Sequence, residues 1–187
     1  MLDTFPDLHT ARLNIVEIKQ EHLSDIFKLF SDSRVTQFYN IVTLTEQSEA
    51  QKYIDWFSCR FADRTGIRWG ISLKGQNCII GTVGFNNVTH RHRANLGYDL
   101  QTEFWNKWYA TEALTAVINF GFKKLYINRI EAEVMQGNTA SERVLTKLGF
   151  TKEGILRQWM YWNDQHYDMT MFSLLRSDLR QTGKKGK

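Results

Sequence analysis

The chain has 187 residues, 42% of them hydrophobic and 24% charged, a balance that fits one folded domain and excludes a disordered or fibrous polymer. No window approaches the roughly 18 apolar residues that a bilayer-spanning helix needs, so no membrane partner is expected. The formal net charge of +4 suits a polyanionic ligand, but Lys184, Lys185 and Lys187 are too short a basic run to argue for nucleic acid.

The N-terminal residues carry Asp3 and no apolar stretch bounded by small residues, which predicts a cytoplasmic protein. Ala11 to Glu17 alternates as a strand, and Gln20 to Asp32 places Leu23, Ile26, Phe27 and Phe30 on one helical face. A second helix is predicted after Thr45 as its cap, with Tyr53, Ile54 and Phe57 buried. Arg68 to Lys74, Cys78 to Phe85 and Arg93 to Leu100 read as strands of an antiparallel meander, with a turn around Gly75–Asn77. Cys59 and Cys78 stand outside any CxxC or metal-ligand spacing, so neither a disulfide framework nor a metal site is expected.

Thr111 to Leu125 returns to helical spacing through Ala113, Leu114, Val117, Ile118 and Phe122, and a strand follows at Ile130–Met135. A helix from Ala140 to Leu148 ends at Gly149, a natural residue just beyond a helix C-terminus, before late strands at Trp159–Trp162 and Asp168–Leu175. The pattern is mixed α/β (α+β): one domain over residues 1–180, then a basic, unstructured tail over 181–187.

Two segments carry chemistry. The strand Asn95–Leu100, the loop Gln101–Tyr109 and a helix starting near Ala110 present free N–H groups and the positive end of a helix dipole, which suit a phosphate. The second segment, Asn138 to Phe150, reads locally as a capped helix: Asn138 as cap, Val144, Leu145 and Leu148 as core face.

Taken in order, Thr10-Ala-Arg-Leu13, Trp69-Gly-Ile-Ser72, Ile80-Gly-Thr-Val-Gly-Phe85, Ala94-Asn-Leu-Gly-Tyr98, Trp105-Asn-Lys-Trp-Tyr-Ala-Thr-Glu-Ala113, Asn138 to Phe150 and Asp168 with Phe172-Ser-Leu-Leu175 resemble the GNAT superfamily of N-acetyltransferases. The likeness is to the ribosomal-protein N-terminal (RimJ/RimL-like) branch and covers Thr10 to Leu175. It implies a twisted, mostly antiparallel mixed sheet flanked by helices, whose splayed central strands, here Asn95–Leu100 and Ile130–Met135, hold acetyl-CoA. Its implied donor contacts are the backbones of Tyr98, Asp99 and Leu100, the pyrophosphate loop Trp105, Asn106, Lys107, Trp108, Tyr109 and Ala110 with Thr111, and Asn138 and Ser141.

The resemblance further implies an oxyanion-binding N–H near Leu100 and makes Ser141 the donor of a proton to the departing thiolate. Where the family has a glutamate, a loop glycine and a tyrosine, this chain has Asn95, Trp108 and Leu145. The base for the amine is therefore left open among water, a backbone carbonyl, Asp99, His166 and Asp168, with His166 expected in a hairpin turn. The implied acceptor cleft involves Phe38, Tyr39, Trp56, Trp159, Tyr161 and Trp162, about half of them as core. The expected activity is acetyl transfer to a primary amine, such as a protein N-terminus, with a homodimer expected from the family; the alternative is a catalytically impaired GNAT domain serving as a binding module.

Overall fold

The computed structural model describes residue 2 and residues 4–179; the tail over 181–187 lies outside the described residues. Among the described residues, eight strands form one sheet in the order β1-β2-β3-β4-β5-β6-β8-β7. Strands β1 (Leu8–His9), β2 (Leu13–Glu17), β3 (Ile67–Leu73), β4 (Ile79–Thr89) and β5 (Arg93–Leu100) form an antiparallel meander. β6 (Arg129–Met135) pairs with β5 in parallel, and the hairpin of β7 (Thr151–Trp162) and β8 (Gln165–Leu175) completes the sheet through β8.

Among the described residues the sheet is covered by the helices α1 (Leu23–Phe30), α2 (Ser33–Thr36), α3 (Gln47–Ala62), α4 (Tyr109–Lys123) and α5 (Thr139–Lys147). One apolar cluster joins Leu114 and Val117 of α4 and Leu145 of α5 to Val83, Leu96 and Ile130 of the sheet. A second joins Ile26, Leu29 and Phe30 of α1 and Ile54 and Phe57 of α3 to Ile18 and Ile79. Full burial of each such side chain contributes about 1.5–3 kcal/mol, so the two clusters fix α4 and α5, and separately α1 and α3, against the strands.

Several boundaries differ from the sequence reading for local reasons. The helix expected over Gln20 to Asp32 is a single 3-10 turn at Gln20–His22 followed by α1, because the His22 ring accepts the Lys19 N–H at 3.0 Å. Asp32 then caps the unforeseen α2 by accepting the Arg34 N–H at 3.0 Å. The cap of α3 is Glu46 rather than Thr45, since Glu49 takes the N–H groups of both Thr45 (2.8 Å) and Glu46 (3.1 Å). β7 begins at Thr151, well before Trp159, on a bulged and exposed edge where no apolar alternation is required. The β7–β8 turn is Asn163–Asp164, both left-handed, so His166 lies on β8 opposite Tyr161 and not in the turn.

Candidate functional site

The site begins with a defect in the sheet. β5 and β6 pair only through Arg93↔Arg129, Ala94↔Ile130 and Asn95↔Glu131, after which the strands part. The cleft that opens there, about 300 Å³, is lined on the strands by Leu96, Gly97, Tyr98 and residues 132–135, and reaches both faces of the sheet.

Backbone direction along β5 follows from its other neighbour. Gln101 N–H donates to the Ile80 carbonyl at 2.8 Å, and antiparallel bonding alternates along a ladder. Gly97 and Asp99 therefore turn their backbone groups toward β4, whereas those of Leu96, Tyr98 and Leu100 face the gap. The Leu100 carbonyl is taken by the Trp105 indole N–H at 2.7 Å, which leaves the Tyr98 amide and carbonyl and the Leu100 N–H toward the gap. Asp99, expected to offer a backbone contact there, instead points its backbone away.

On the α4 and α5 face, the loop after β5 reaches α4 through two left-handed residues, Asn106 (φ 60) and Trp108 (φ 68). Trp108 is the N-cap of α4, and the first bond of the helix runs from Glu112 N–H to its carbonyl at 3.0 Å. The N–H groups of Tyr109, Ala110 and Thr111 precede the helical acceptors and carry the positive end of the dipole. The Trp108 indole does not fold over them: it is 55% exposed and stacks under the Lys147 ammonium of α5, 2.9 Å from the ring centroid. The conformation that favours glycine is present, held by tryptophan at a strain of roughly 1–2 kcal/mol.

Glu112 anchors that helix end to the start of the chain. Its carboxylate accepts from the Thr10 hydroxyl (2.6 Å), the Arg12 N–H (2.9 Å) and the Arg12 Nε (2.7 Å), while the Arg12 guanidinium lies over the Tyr109 ring. Burial raises the Glu112 pKa, but the Thr10 and Arg12 bonds outweigh it and hold the carboxyl below its ordinary value.

Across the gap, Asn138 caps α5 by accepting the Ser141 N–H at 3.1 Å. The Ser141 hydroxyl lies 2.7 Å from the Tyr98 hydroxyl, whose pKa burial pushes up to about 12 against the pull of that bond. Leu145, where a tyrosine was absent from the sequence pattern, is fully buried in the core. Tyr98 thus brings to Ser141 a phenol that the sequence reading assigned only backbone contacts.

The α1 and α3 face is a hydrogen-bonded chain of side chains. Buried Arg68 pairs with Asp99 and donates to the Thr82 hydroxyl (2.9 Å), which in turn donates to Asp99 at 3.0 Å. Burial pushes the Asp99 carboxyl up, opposed by Arg68 and Thr82. Gly97 permits this crossing, because a Cβ there would stand 2.7 Å from Arg68 Nη1. Arg68 also donates to Asn86 Oδ1 (3.1 Å), Asn86 to Asn95 Oδ1 (3.1 Å), and Asn95 to Glu133 Oε1 (3.3 Å).

The candidate bases from sequence do not meet in the cleft. Asp99 is locked in the Arg68 pair, His166 is exposed on the β7–β8 hairpin beside the Tyr161 ring, and Asp168 accepts the Gln158 N–H at 2.7 Å. Glu133 was missed, although Arg129 to Met135 alternates and puts Glu131 and Glu133 on one face of a strand otherwise buried. Of the expected acceptor aromatics, Phe38, Tyr39 and Trp56 line the cleft, and Trp159 and Tyr161 are exposed on β7. Among the described residues no helix is long and apolar enough to cross a membrane, and no group of three or more His, Cys, Asp or Glu could hold a metal ion.

Residues 12–151 match the acetyltransferase (GNAT) domain family. The chain is 38% identical to the uncharacterized N-acetyltransferase YoaA of Bacillus subtilis over 173 residues, 92% of this chain and 98% of that protein. It is 34% identical to the [ribosomal protein uS5]-alanine N-acetyltransferase of Escherichia coli over 102 residues, 54% of this chain and 53% of that one. RimL, a ribosomal L7/L12 alpha-N-protein acetyltransferase solved with coenzyme A, shares the fold at TM-score 0.80 and 20% identity over 91% of this chain and 98% of its own. With its parted β5 and β6 and the loop that leads into α4, the chain belongs to the GNAT family of acetyltransferases.

Proposed function

We propose that this protein transfers the acetyl group of acetyl-CoA to a primary amine, and that the opening between β5 and β6 is where the two substrates meet. The observation that carries the reading is the run of unpaired backbone on β5 ending beside a helix N-terminus. It offers amide-pairing groups for the pantetheine arm and N–H groups for a pyrophosphate in one continuous path. When bound, acetyl-CoA supplies the acetyl group as an activated thioester.

Residue roles follow from placement. The Tyr98 backbone and the Leu100 N–H hold and polarise the donor end, Leu100 N–H serving the oxygen that gains charge. Trp105, Asn106, Lys107, Trp108, Tyr109, Ala110 and Thr111 form the phosphate cradle. Asn138 sets the start of α5, and Ser141 with Tyr98 protonates the departing sulfur; a phenol with a pKa near 12 remains protonated at neutral pH and able to donate.

This reading accounts for the departures that favoured a binding module. Trp108 keeps the left-handed turn with its indole outside the cradle, Tyr98 brings a hydroxyl that Leu145 lacks, and Asn95 belongs to a chain that ends on a carboxylate. As acceptor we propose a protein or peptide N-terminal amine, the substrate class in the names of the ribosomal-protein relatives. The test is amine-dependent release of CoA thiol, with a panel of Ala- and Ser-initiated peptides against small amines such as phenethylamine. Release with peptides supports the full reading, release with small amines alone changes the acceptor, and no release with any amine contradicts acetyl transfer.

A further inference from the structure

On its β4 side, away from the β5–β6 gap, the cleft is lined by a guanidinium. Trp56 and Arg60 stand four residues apart on α3 and so share one helix face, and both line the cleft. Arg60 Cζ lies 5.0 Å from the centroid of the exposed Trp56 ring. Opposite them β4 is bulged, since its pairing with β5 passes from Phe85 to Asn87 and skips Asn86. The Asn86 carbonyl at this bulge accepts from Arg60 Nη2, as do Asn87 Oδ1 at 2.8 Å and the Thr65 carbonyl at 3.4 Å. Gly66 makes room for the side chain, because a Cβ there would stand 2.9 Å from Arg60 Nε and 2.7 Å from the Phe85 carbonyl oxygen.

These bonds hold the guanidinium without satisfying it. All of them leave from Nη2; Nε is buried without an acceptor, and among the described residues Nη1 has no partner. Nor does any described carboxylate lie within ion-pair distance of Arg60, whereas Arg68 has Asp99, Arg12 has Glu112 and Arg93 has Glu131. Clamped by neutral acceptors alone, Arg60 presents an uncompensated positive charge to the cleft. Among the described residues lining the cleft the other charged side chain is Glu133 on β6, of opposite sign. An anion is therefore drawn to the Arg60 side and repelled from the gap.

We infer that Arg60, seated against Trp56, is a specificity-determining residue that takes a carboxylate carried by the acceptor in addition to its amine: in a peptide, the side chain of Asp or Glu at the second or third position. This rests on the acetyl-transfer reading above. Neighbouring strands lie about 4.8 Å apart, so a carboxylate held beside β4 stands roughly 5–10 Å from a nitrogen in the β5–β6 gap. An extended peptide advances about 3.3 Å per residue, which brings its second and third side chains within reach. The carboxylate of a free α-amino acid, on the carbon next to its nitrogen, falls short. A small amine with an acid at the longer remove, such as 6-aminohexanoate, presents the same pair of groups.

The test uses the full chain, acetyl-CoA and two Ala-initiated peptides that differ only in Glu or Gln at the second position. The glutamate peptide has a kcat/KM about tenfold higher, chiefly through KM, and the advantage shrinks as salt is raised. Moving the glutamate to the sixth position removes it. Arg60→Gln brings the two peptides to near equality, and Arg60→Glu favours a lysine peptide over the glutamate one. An Arg60 that only ties α3 to β4 lowers all rates together and leaves the ratio unchanged. Equal kcat/KM for the glutamate and glutamine peptides in the wild-type protein overturns the inference while acetyl transfer stands. A preference for 6-aminohexanoate over hexylamine, with neither peptide turned over, keeps the Arg60 contact and assigns it to a small acceptor.

Wild-type protein inert with every amine contradicts acetyl transfer itself, and calorimetric titration with the same two peptides then decides what remains. Tighter binding of the glutamate peptide, lost in Arg60→Gln, keeps the carboxylate site without the reaction. Equal binding of the two peptides, or none, overturns the site as well.

Discussion

On the α4 and α5 face of the β5–β6 gap, the groups that can hold a ligand are mostly backbone: the Tyr98 and Leu100 edge, and the N–H groups of Tyr109 to Thr111. On the α1 and α3 face they are side chains from four strands: Arg68 on β3, Asn86 on β4, Asn95 and Asp99 on β5, and Glu133 on β6. The difference matters because backbone groups survive substitution and are set by local dihedrals, whereas a chain of side chains depends on every member and on the register of the sheet. On the reading proposed above, the first face serves a constant donor and the second a particular acceptor.

Asp99→Ala strikes the second face hardest. It leaves the Arg68 guanidinium buried without its partner, at a cost of roughly 3–5 kcal/mol, read as a lower denaturation midpoint in urea; Arg68→Met with Asp99→Leu recovers most of that loss. A midpoint unchanged in Asp99→Ala breaks the claim that this face depends on paired side chains.

Glu112→Gln tests the first face at its anchor, because it weakens three bonds to Thr10 and Arg12. The expected loss is about 1–3 kcal/mol, with weaker acetyl-CoA binding as the helix end loosens. The pH dependence has a definite sign. A folded pKa held below the ordinary 4.5 contributes stability that is present above pH 4.5 and is lost as pH falls through the folded value. Urea midpoints measured between pH 3 and 7 therefore lose part of their acid limb in the variant.

Ser141→Ala and Tyr98→Phe each lower kcat about tenfold, roughly 1.4 kcal/mol, and leave the acetyl-CoA dissociation constant within twofold, since both remove a hydroxyl and no backbone. A larger effect on affinity than on kcat moves the pair from proton transfer to binding. Trp108→Gly has the smallest expected effect, with stability within about 1 kcal/mol of wild type, because relief of left-handed strain is offset by greater freedom in the unfolded chain and the lost Lys147 contact. Acetyl-CoA affinity likewise stays close to wild type; a tenfold tightening places the indole over the cradle after all.

The same contrast explains what could be read from the amino-acid order. The strand–loop–helix from Asn95 to Thr111 and the capped helix from Asn138 are contiguous, so local pattern locates them, while the splayed pair of strands was implied by the family resemblance alone. The chain from Arg68 to Glu133 is scattered over residues 68, 86, 95 and 133, and only the pairing of β3, β4, β5 and β6 brings those residues together. Asp99 and His166 were candidate bases by residue type alone; Asp99 is buried against Arg68, and the Asn163–Asp164 turn places His166 on a strand away from the cleft. The alternation of Glu131 and Glu133 was visible, but the two become distinct only because Arg93 and Arg129 reach the first and not the second.

The most direct test of the whole account is calorimetric titration of the protein with acetyl-CoA. A backbone-built donor path predicts one-to-one binding in the micromolar range, unchanged by Glu133→Gln and Ser141→Ala. No binding at millimolar acetyl-CoA contradicts it, and with it the reading of the β5–β6 gap as a place for the donor.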